Sequence, residues 1–364
     1  MLRAVDTSTT TPRTVWRIDR AGSLARLRCV NEPLAVPGPG EARVRMEAIG
    51  LNFADIFACL GLYSATPAGS FVPGLEGAGV VEALGEPAPG SAVRFAVGDR
   101  VVVLTRFGGY ATALNVDTRY LHRVPAGWSF EQAAAWPVQA LTAWYGLLQL
   151  GAARPGSVVL IQSAAGGVGL NALAILAKLG ARPVAVVGDP EKIDFLRARH
   201  GLMPAQIVLR QAPGFPAGLD AALAALGANG FDLVFDAVLG RGFRPAFDRL
   251  APEGRYVLYG AADFMSAGPR PSWPRLAWRW LRRPRLDPLA MIASNRGLLA
   301  FNLIWLWDAV DRVPAAYAAL AGLGLGPPHI GGHYPFAAAP AALAGLQSGR
   351  TVGKLVLTTG GTLS

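Results

Sequence analysis

A run of small residues near the middle of the chain has the composition and spacing of a phosphate-binding turn. It reads Ala164-x-Gly166-x-x-Gly169, the dinucleotide-binding spacing with alanine in place of the first glycine. Gly167 and Val168 fill the positions between the two glycines. Small residues let backbone N–H groups approach a pyrophosphate, and the N-terminal end of a following helix favours negative charge. The alternative is a glycine-rich turn that serves only strand-to-helix packing.

The residues on either side of this motif predict the elements that such a turn needs. Residues 158–161 are apolar and predict a buried strand, and residues 170–179 predict a helix that ends at Gly180. A second strand is predicted over 181–187, which completes a βαβ unit. Strands and helices continue to alternate to about residue 260, so we predict a doubly wound parallel sheet and a bound dinucleotide.

The first third of the chain has a different pattern. Residues 15–123 read as short strands separated by Gly/Pro turns, which predicts an all-β lobe. Ser129, with a glutamine three positions on, predicts the capped start of a helix. Because the last residues return to a strand pattern, we expect them to rejoin the first lobe. We therefore predict a β-rich domain from 1–137 and 316–364, and a nucleotide-binding domain from 138–315.

Composition limits the classes of protein that the chain can form. With 364 residues, 52% of them hydrophobic and 16% charged, the chain is long enough for two domains and too apolar for a disordered protein. The charge-free stretches on either side of Arg154 could span a bilayer by length, but Gln139 and Gln162 interrupt them, which favours a buried α/β core. Cys29 and Cys59 lie far apart and indicate free thiols in a reduced, cytoplasmic compartment. A net charge of +10 indicates an anionic ligand or surface.

Six segments, in this order, carry a resemblance to a known superfamily. They read GLNFADIFACLGLY (50–63), PGLEGAGVVEALG (73–85), VGDRVVVL (97–104), ALTAWYGL (140–147), SAAGGVG (163–169) and GRTVGKLVL (349–357). The chain resembles the zinc-free quinone oxidoreductase branch of the medium-chain dehydrogenase/reductase superfamily. Within that branch, a Trp/Arg-rich segment and ASNRGLLAFNL (293–303) resemble the vesicle amine transport protein (synaptic vesicle membrane protein) family. The resemblance implies a GroES-like catalytic domain beside a Rossmann-type α/β domain, and a homodimer.

The positions at which zinc-dependent members of this superfamily bind catalytic metal hold Asn52 and Leu75 here. A leucine cannot ligate a metal ion, no cysteine follows Cys59, and the four histidines lack metal-ligand spacing. We therefore expect no metal site. Without a Lewis acid, drawing hydride from an alcohol is difficult, whereas an electron-poor C=C bond or a quinone needs less help to accept hydride.

Three residues are candidates for contacts with the substrate and the nicotinamide. Tyr63 carries a neutral phenol that can donate to a developing enolate oxygen and release a proton, and the resemblance to zinc-free enoyl reductases implies a catalytic role for it. The resemblance places Asn52 near the nicotinamide and Thr142 on its carboxamide. The alternatives are a helix-ending tyrosine, an Asx turn at Asn52 and a helix-interior role for Thr142. Asp55 is expected to cap or pair locally.

The cofactor is predicted to be NADPH. An NAD-selecting carboxylate stands at the end of the second strand, where this chain has Val187. The resemblance places Lys192 on the 2′-phosphate, and Arg210 and Arg350 at further phosphate contacts. The alternative for each is a solvated charge, and the carboxylate of Asp189 would repel a nearby phosphate.

The segment RPSWPRLAWRWLRRPRLDP (270–288) does not belong to a dinucleotide fold. As a helix it has an apolar face and a cationic face, and such helices lie at membrane interfaces. The apolar face is predicted to hold Trp273, Leu276, Ala277, Trp280 and Leu281, and the cationic face Arg275, Arg279 and Arg282. The segment could instead cover the active site or pack at a dimer seam. Nucleic-acid binding is disfavoured, because one short helix brings no aromatic platform on a strand.

Together these features predict an NADPH-dependent reductase of quinones or α,β-unsaturated carbonyls. The substrate is expected in the cleft between the β lobe and the carboxyl edge of the parallel sheet, beside Asn52 and Tyr63. Two alternatives stay open: an enoyl-thioester reductase, and a membrane-associated binding protein that keeps the reductase fold and works through residues 270–288.

Overall fold

The computed structural model describes residues 10–88 and 94–360. The ends of the predicted β-rich domain, at residues 1–9 and 361–364, lie outside the described residues. The strands within the described ranges are β1 (Thr11–Ile18), β2 (Leu27–Leu34), β3 (Glu41–Gly50), β4 (Glu76–Leu84), β5 (Arg100–Leu104), β6 (Ala113–Asp117), β7 (Leu121–Arg123), β8 (Val158–Gln162), β9 (Arg182–Val187), β10 (Ile207–Leu209), β11 (Phe231–Asp236), β12 (Leu250–Leu258), β13 (Gly297–Ala300), β14 (Ile330–Pro335) and β15 (Lys354–Thr358). The helices are α1 (Phe53–Cys59), α2 (Phe130–Ala134), α3 (Pro137–Trp144), α4 (Gly167–Leu179), α5 (Lys192–His200), α6 (Phe215–Ala225), α7 (Phe243–Phe247), α8 (Trp273–Leu281), α9 (Pro288–Ser294), α10 (Arg312–Gly322) and α11 (Ala339–Gln347).

Six parallel strands form one sheet in the order β10-β9-β8-β11-β12-β13. All five residues of β8 are buried, because helices cover both faces of a doubly wound sheet and leave no solvent face for alternating polar residues. The chain moves outward from β8 in one direction and from β11 in the other. The order therefore reverses between these two strands, which places a ligand crevice at their carboxyl ends.

A seven-stranded sheet has the order β14-β15-β3-β4-β5-β7, with β6 paired to β3. β15 lies antiparallel to β3, so the last described strand of the chain is joined to an N-terminal one. β1 and β2 form a separate antiparallel pair. The α/β fold, with a doubly wound parallel sheet beside a β-rich lobe, is as predicted.

Short helices connect the two sheets. Ser129 and Gln132 exchange hydrogen bonds of 3.2 and 3.0 Å between side chain and backbone and cap α2, as their spacing predicts. Pro137 then occupies the first position of α3, where its missing N–H leaves no helical bond unmade. α2 packs on β3 and β4, and α3 packs on α4. These helices therefore set the position of the β-rich lobe against the parallel sheet.

One hydrophobic core is shared between the two sheets. Val102 of β5 and Val356 of β15 belong to the same buried cluster as Leu141 of α3 and Leu173 of α4. Apolar contacts therefore continue from one sheet to the other. The predicted domain boundaries at 137/138 and 315/316 stay a prediction.

Nowhere in residues 10–88 and 94–360 does a helix combine the length and the apolar character that crossing a bilayer requires. The two charge-free stretches lie in α2, α3, β8 and α4 and the turns between them.

Candidate cofactor and substrate site

The predicted phosphate-binding turn follows directly from β8. Ser163 has a left-handed backbone with φ of 60°, and Gly166 is the N-cap of α4, with no side chain bonded to the cap. A Cβ on Gly169 would lie 2.5 Å from the carbonyl oxygen of Ala164, so this glycine is required for helix-to-strand packing. Within 4 Å, a Cβ on Gly166 would meet only Ser163 among the described residues, whose carbonyl oxygen would be at 3.3 Å, a tight contact. The first turn of α4 therefore begins at a residue with no side chain and little room for one, so a pyrophosphate can approach its backbone N–H groups closely.

Arg210 lies over the end of β9. Its Nη2 atom is 2.8 Å from the place where a Cβ on Gly188 would stand, and its Nη1 atom is buried with no hydrogen-bond partner among the described residues. Burial lowers the pKa of this guanidinium, and the nearby carboxylates of Asp236 and Asp263 oppose the shift. Val187, the preceding strand residue, is buried and brings no polar atom to a ribose. An unpartnered cationic donor at this edge fits an anionic group on the cofactor's adenosine end.

Lys192 is held by the backbone of the segment that precedes β15. Its ammonium group donates to the carbonyl oxygen of Gly349 at 2.6 Å and to that of Thr351 at 3.0 Å. Burial lowers the pKa of Lys192, with the carboxylate of Asp189 opposing the shift. An ammonium group has three N–H donors, so one remains for a phosphate. The solvated charge that the sequence left open as an alternative for Lys192 is wrong.

The two other charges considered at this end differ in their surroundings. Asp189 accepts a hydrogen bond of 3.0 Å from the backbone N–H of Glu191 and so orients the turn before α5. Arg350 is exposed and stands between the two residues whose carbonyl groups hold Lys192. Lys192 thus contacts the segment that carries Arg350. The positive charge of Arg210 lies near enough to contribute to the lowered pKa of Lys192.

A buried polar cluster formed by Asn52, Glu76 and Lys354 lies in the β-rich lobe, and we call it the Asn52 cluster. Asn52 Nδ2 donates to Glu76 Oε1 at 2.7 Å, Lys354 Nζ donates to Asn52 Oδ1 at 2.7 Å, and Lys354 also pairs with Glu76. The second carboxylate oxygen of Glu76 accepts from the backbone N–H of Val138, in the first turn of α3, at 2.8 Å. The cluster therefore links β4, β15 and α3.

Sequence analysis identified Asn52 but missed Glu76 and Lys354. Lys354 is the one charge of β15, Glu76 shares β4 only with Glu82, and Lys354 is 1% exposed and Glu76 0%. An acid and a base in two largely buried strands are expected to pair, because an unpaired buried charge is very costly. That signal was present in the sequence.

Asp55 lies in the first turn of α1, whose N-cap is Asn52. Its Oδ2 atom accepts from the backbone N–H of Asn52 at 2.8 Å and from the hydroxyl of Tyr110 at 3.0 Å, so the expected local pairing is present. Its Oδ1 atom is buried and lacks a partner among the described residues. Burial raises the pKa of Asp55 to about 7, although the Asn52 N–H and the charge of Lys354 act in the opposite direction. This carboxyl group can therefore change charge near neutral pH.

Tyr63 donates from its hydroxyl to Asn302 Oδ1 at 2.7 Å. Burial raises the pKa of Tyr63 to about 12, so the phenol keeps its proton at neutral pH. Asn302 also caps the short helix Leu303–Ala309, which fixes its carbonyl oxygen. Asn302 lies in the segment 293–303 that carries the family resemblance, but nothing in the sequence indicated that it pairs with Tyr63, which lies 239 positions away.

Thr142 lies inside α3 and donates to the carbonyl oxygen of Val138 at 2.6 Å. This is the helix-interior arrangement that was the alternative for Thr142. The hydroxyl oxygen keeps its lone pairs, so it can still accept a hydrogen bond from a carboxamide.

Two of the four histidines pack against aromatic rings. His122 stacks on Tyr317 at 3.6 Å between ring centroids, and His329 packs against Phe195 at 4.7 Å. No three His, Cys, Asp or Glu side chains come together as a metal site in the part of the chain that the structure describes. Leu75, at the expected metal-ligand position, is buried.

The Trp/Arg-rich segment forms α8, which is strongly amphipathic as predicted. Arg279, predicted on the cationic face, turns inward to Asp263 at 3.2 Å and is 13% exposed. Trp273 and Trp280 are 65% and 59% exposed, and Trp278 is also exposed, with Arg282 over its ring at 4.6 Å. The helix therefore lies on the surface. Arg279 on its cationic side pairs with Asp263, whereas its tryptophans are exposed to solvent.

Comparison with known proteins establishes the family. The alcohol dehydrogenase GroES-like domain matches residues 38–126, and the zinc-binding dehydrogenase family matches residues 217–357. A human protein named synaptic vesicle membrane protein VAT-1 homolog is 32% identical over 344 residues, which cover 93% of this chain and 84% of that protein. The chain belongs to the medium-chain dehydrogenase/reductase superfamily.

Other superfamily members match over nearly the whole chain. The quinone oxidoreductase from Thermus thermophilus, solved also in complex with NADPH, is 31% identical with a TM-score of 0.75, covering 95% of this chain and 100% of its own. Erythronolide synthase EryA2 from Saccharopolyspora erythraea is 35% identical over 334 residues, which are 90% of this chain and 8% of that protein. The predicted resemblance to the superfamily and to the vesicle protein family is confirmed, and the chain is an oxidoreductase by family.

Proposed function

We propose that this protein is an NADPH-dependent reductase that transfers hydride to quinones or α,β-unsaturated carbonyls without a metal ion. The observation that carries the proposal is the first turn of α4, which follows the carboxyl end of β8 and begins at the glycine N-cap Gly166, with no side-chain hydrogen bond from the described residues at the cap. The Thermus quinone oxidoreductase, solved in complex with NADPH, supports it. Asn52 and Leu75 stand where metal ligands are expected, and a leucine cannot bind zinc.

The cofactor would be held along the carboxyl edge of the parallel sheet. The backbone of Gly166 to Gly169 would bind the pyrophosphate, and Thr142 would accept from the carboxamide. The 2′-phosphate would accept hydrogen bonds from Arg210 Nη1 and from the remaining N–H of Lys192, and Arg350 would lie nearby. Both phosphate donors are partly desolvated, which strengthens their attraction to an anion. When bound, NADPH supplies the hydride.

The residues that act on the substrate are Asn52 and Tyr63. Hydride addition to an enone or a quinone places negative charge on the substrate's carbonyl oxygen, and fixed hydrogen-bond donors lower the energy of that charge. Tyr63 stays protonated because its pKa is raised to about 12, so it can donate to the oxygen and then transfer the proton. Its hydroxyl must turn from Asn302 to do so.

Turnover with a panel of acceptors tests the proposal. NADPH oxidation is followed with a benzoquinone, a naphthoquinone, an alkyl enone and an enoyl thioester, with NADH as the alternative donor. The proposal expects turnover with quinones or enones and a preference for NADPH. Turnover with the enoyl thioester alone would assign the alternative, an enoyl-thioester reductase. No oxidation with any acceptor would contradict the proposal.

A second candidate function is peripheral contact with an anionic membrane through α8, and its exposed aromatic surface favours it. Between Asp263 and Asp287 the chain carries six arginines and no acidic residue, so the surface is cationic as well as aromatic. The occupant we propose is a bilayer containing phosphatidylserine.

Liposome co-sedimentation tests the membrane contact. Substitution of Arg275, Arg282 and Arg283 by Glu is expected to abolish sedimentation with phosphatidylserine vesicles. A variant with Glu at Arg20, Arg28 and Arg312, which are exposed elsewhere, has the same net charge and is expected to sediment as wild type does. Equal loss in both variants would show that net charge alone matters and would overturn the assignment to α8.

We also propose a homodimer, which the superfamily resemblance implied. β13 is the outermost strand of the parallel sheet, and Leu298 on it is exposed. An outer strand offers unpaired backbone groups to a second copy. Light scattering during size-exclusion chromatography tests this, and a mass of one chain would contradict it.

A further inference from the structure

The Asn52 cluster places a fixed positive charge one hydrogen bond away from a residue of the proposed active site. Lys354 and Glu76 are sealed from solvent, at 1% and 0% exposed, whereas Asn52 is 8% exposed. The two charges therefore lie deeper than Asn52, which is the most exposed member of the cluster. A purely structural ion pair has no need of the amide between its partners and the site.

The donors and acceptors of Asn52 fix its orientation. Its Oδ1 atom accepts from Lys354, and one of its two Nδ2 hydrogens is donated to Glu76 Oε1. An ammonium group can only donate and a carboxylate can only accept, so the amide cannot flip. One Nδ2 hydrogen remains for a further acceptor.

Accepting from an ammonium group changes the amide electronically as well. Lys354 draws electron density toward Oδ1, which makes the Nδ2 hydrogens more positive, and such cooperative strengthening is largest where solvent is excluded. The carboxylate of Glu76, which pairs with Lys354, also accepts a hydrogen bond from the backbone N–H of Val138. The carbonyl oxygen of Val138 in turn accepts a hydrogen bond from the Thr142 hydroxyl. Glu76 thus positions both sides of the proposed reaction site.

We propose that Lys354, fixed by Glu76, is a positioning residue that orients and polarises Asn52, so that the remaining Nδ2 hydrogen stabilises the oxyanion formed on the substrate. This rests on the proposed reductase function. The hydride would come from NADPH, whose nicotinamide C–H bond breaks with its electron pair to leave NADP⁺, and it would bond to the electron-poor carbon of the substrate. The C=C electron pair moves to form the enolate, whose oxygen receives the Asn52 hydrogen bond. A proton from Tyr63, replaced from solvent, completes the reduction.

The test is a double-mutant cycle between the ion pair and Asn52. Glu76→Gln with Lys354→Met removes both charges together, so neither is left buried alone. We expect kcat to fall on the order of tenfold while KM for NADPH stays unchanged, because the cofactor's phosphates are bound elsewhere. In an Asn52→Ala background the same pair of substitutions is expected to cost nothing further, since the effect acts through Asn52. Unchanged kcat in the first background, or an equal loss in both, overturns the proposal.

Two variants separate this effect from folding. Asp220→Asn with Arg249→Met removes an ion pair in the other half of the chain, and it is expected to leave kcat as in wild type. If the first double variant does not fold, Glu76→Gln with Lys354→Gln keeps hydrogen-bonding groups at both positions without charge. The same expected and contradicting results apply to it.

A measurement without turnover distinguishes failure of the inference from failure of the proposed function. With NADP⁺ present, 4-nitrophenol serves as an oxyanion probe, and its absorbance reports ionisation. Wild type is expected to bind the phenolate at least tenfold more tightly than the Glu76→Gln/Lys354→Met variant does. Turnover of quinones or enones by wild type, with equal phenolate affinities, overturns the inference alone. A Lys354-dependent affinity without any turnover overturns the reductase proposal and retains the anion-stabilising cluster.

Discussion

The phosphate-binding turn and the Asn52 cluster contrast in how they are built. The turn uses backbone groups of consecutive residues, so its requirements are local: small side chains at Gly166 and Gly169 and a helix that starts beside them. The cluster uses three side chains from positions 52, 76 and 354. These positions come together because β3, which ends just before Asn52, lies between β4 and β15 in the sheet. A motif of the first kind is visible in a sequence, whereas one of the second kind leaves only isolated charges in apolar strands. The predictions below perturb the cofactor side and the substrate side of the proposed site separately.

The largest effect is expected at the turn. Gly166→Val should abolish NADPH binding, because its side chain would occupy the place of the pyrophosphate at the first turn of α4. Fluorescence titration of NADPH measures the loss. Gly214→Val is the control, since Gly214 is also an N-cap glycine, on α6, with no atom of the described chain within 4 Å of its Cβ position. Retained binding in Gly166→Val would mean that the turn serves only packing.

At the substrate side, Tyr63→Phe should lower kcat by about a hundredfold, which is typical of losing a positioned proton donor. KM for NADPH should stay unchanged. Steady-state kinetics with a quinone or enone acceptor measure both constants. Wild-type kcat in this variant would assign Tyr63 to its hydrogen bond with Asn302 alone.

At the far end of the cofactor, Arg210→Gln should raise KM for NADPH by about tenfold and leave KM for NADH unchanged, because only NADPH carries the 2′-phosphate. Lys192→Met should show the same selectivity, together with a lower melting temperature, since Lys192 also holds the carbonyl groups of Gly349 and Thr351. Equal changes for both nucleotides would contradict the proposed phosphate contacts.

An effect of another kind, on stability, is expected from Asp55→Asn. Burial raises the pKa of Asp55 to about 7 in the folded protein, above its value in the unfolded chain. Its contribution to the free energy of unfolding is therefore fully present below about pH 4 and is lost as the pH rises through 7. The variant cannot ionise, so it should gain roughly 2–4 kcal/mol relative to wild type between pH 4 and pH 8. Urea unfolding across this range measures the difference, and parallel curves would contradict the assignment.

Predictions from local pattern succeeded where one stretch of chain contains all the information. The βαβ unit at β8, α4 and β9 and the capped start at Ser129 required only hydrophobic period, glycine positions and a capping pair. The two faces of α8 were predicted by the same method, but the direction in which they point was not, because Asp263, which draws Arg279 inward, lies outside the helix.

By itself, the sequence determined the alternation of strands and helices, the glycine turn and the absence of a ligating side chain at Leu75, because each depends on residues adjacent along the chain. Only the tertiary structure decided that Lys354 is one hydrogen bond from Asn52, that Asn302 holds Tyr63 and that backbone carbonyls hold Lys192. The physical reason is that a hydrogen bond acts over about 3 Å in space, whereas its partners here lie more than 150 positions apart in the chain.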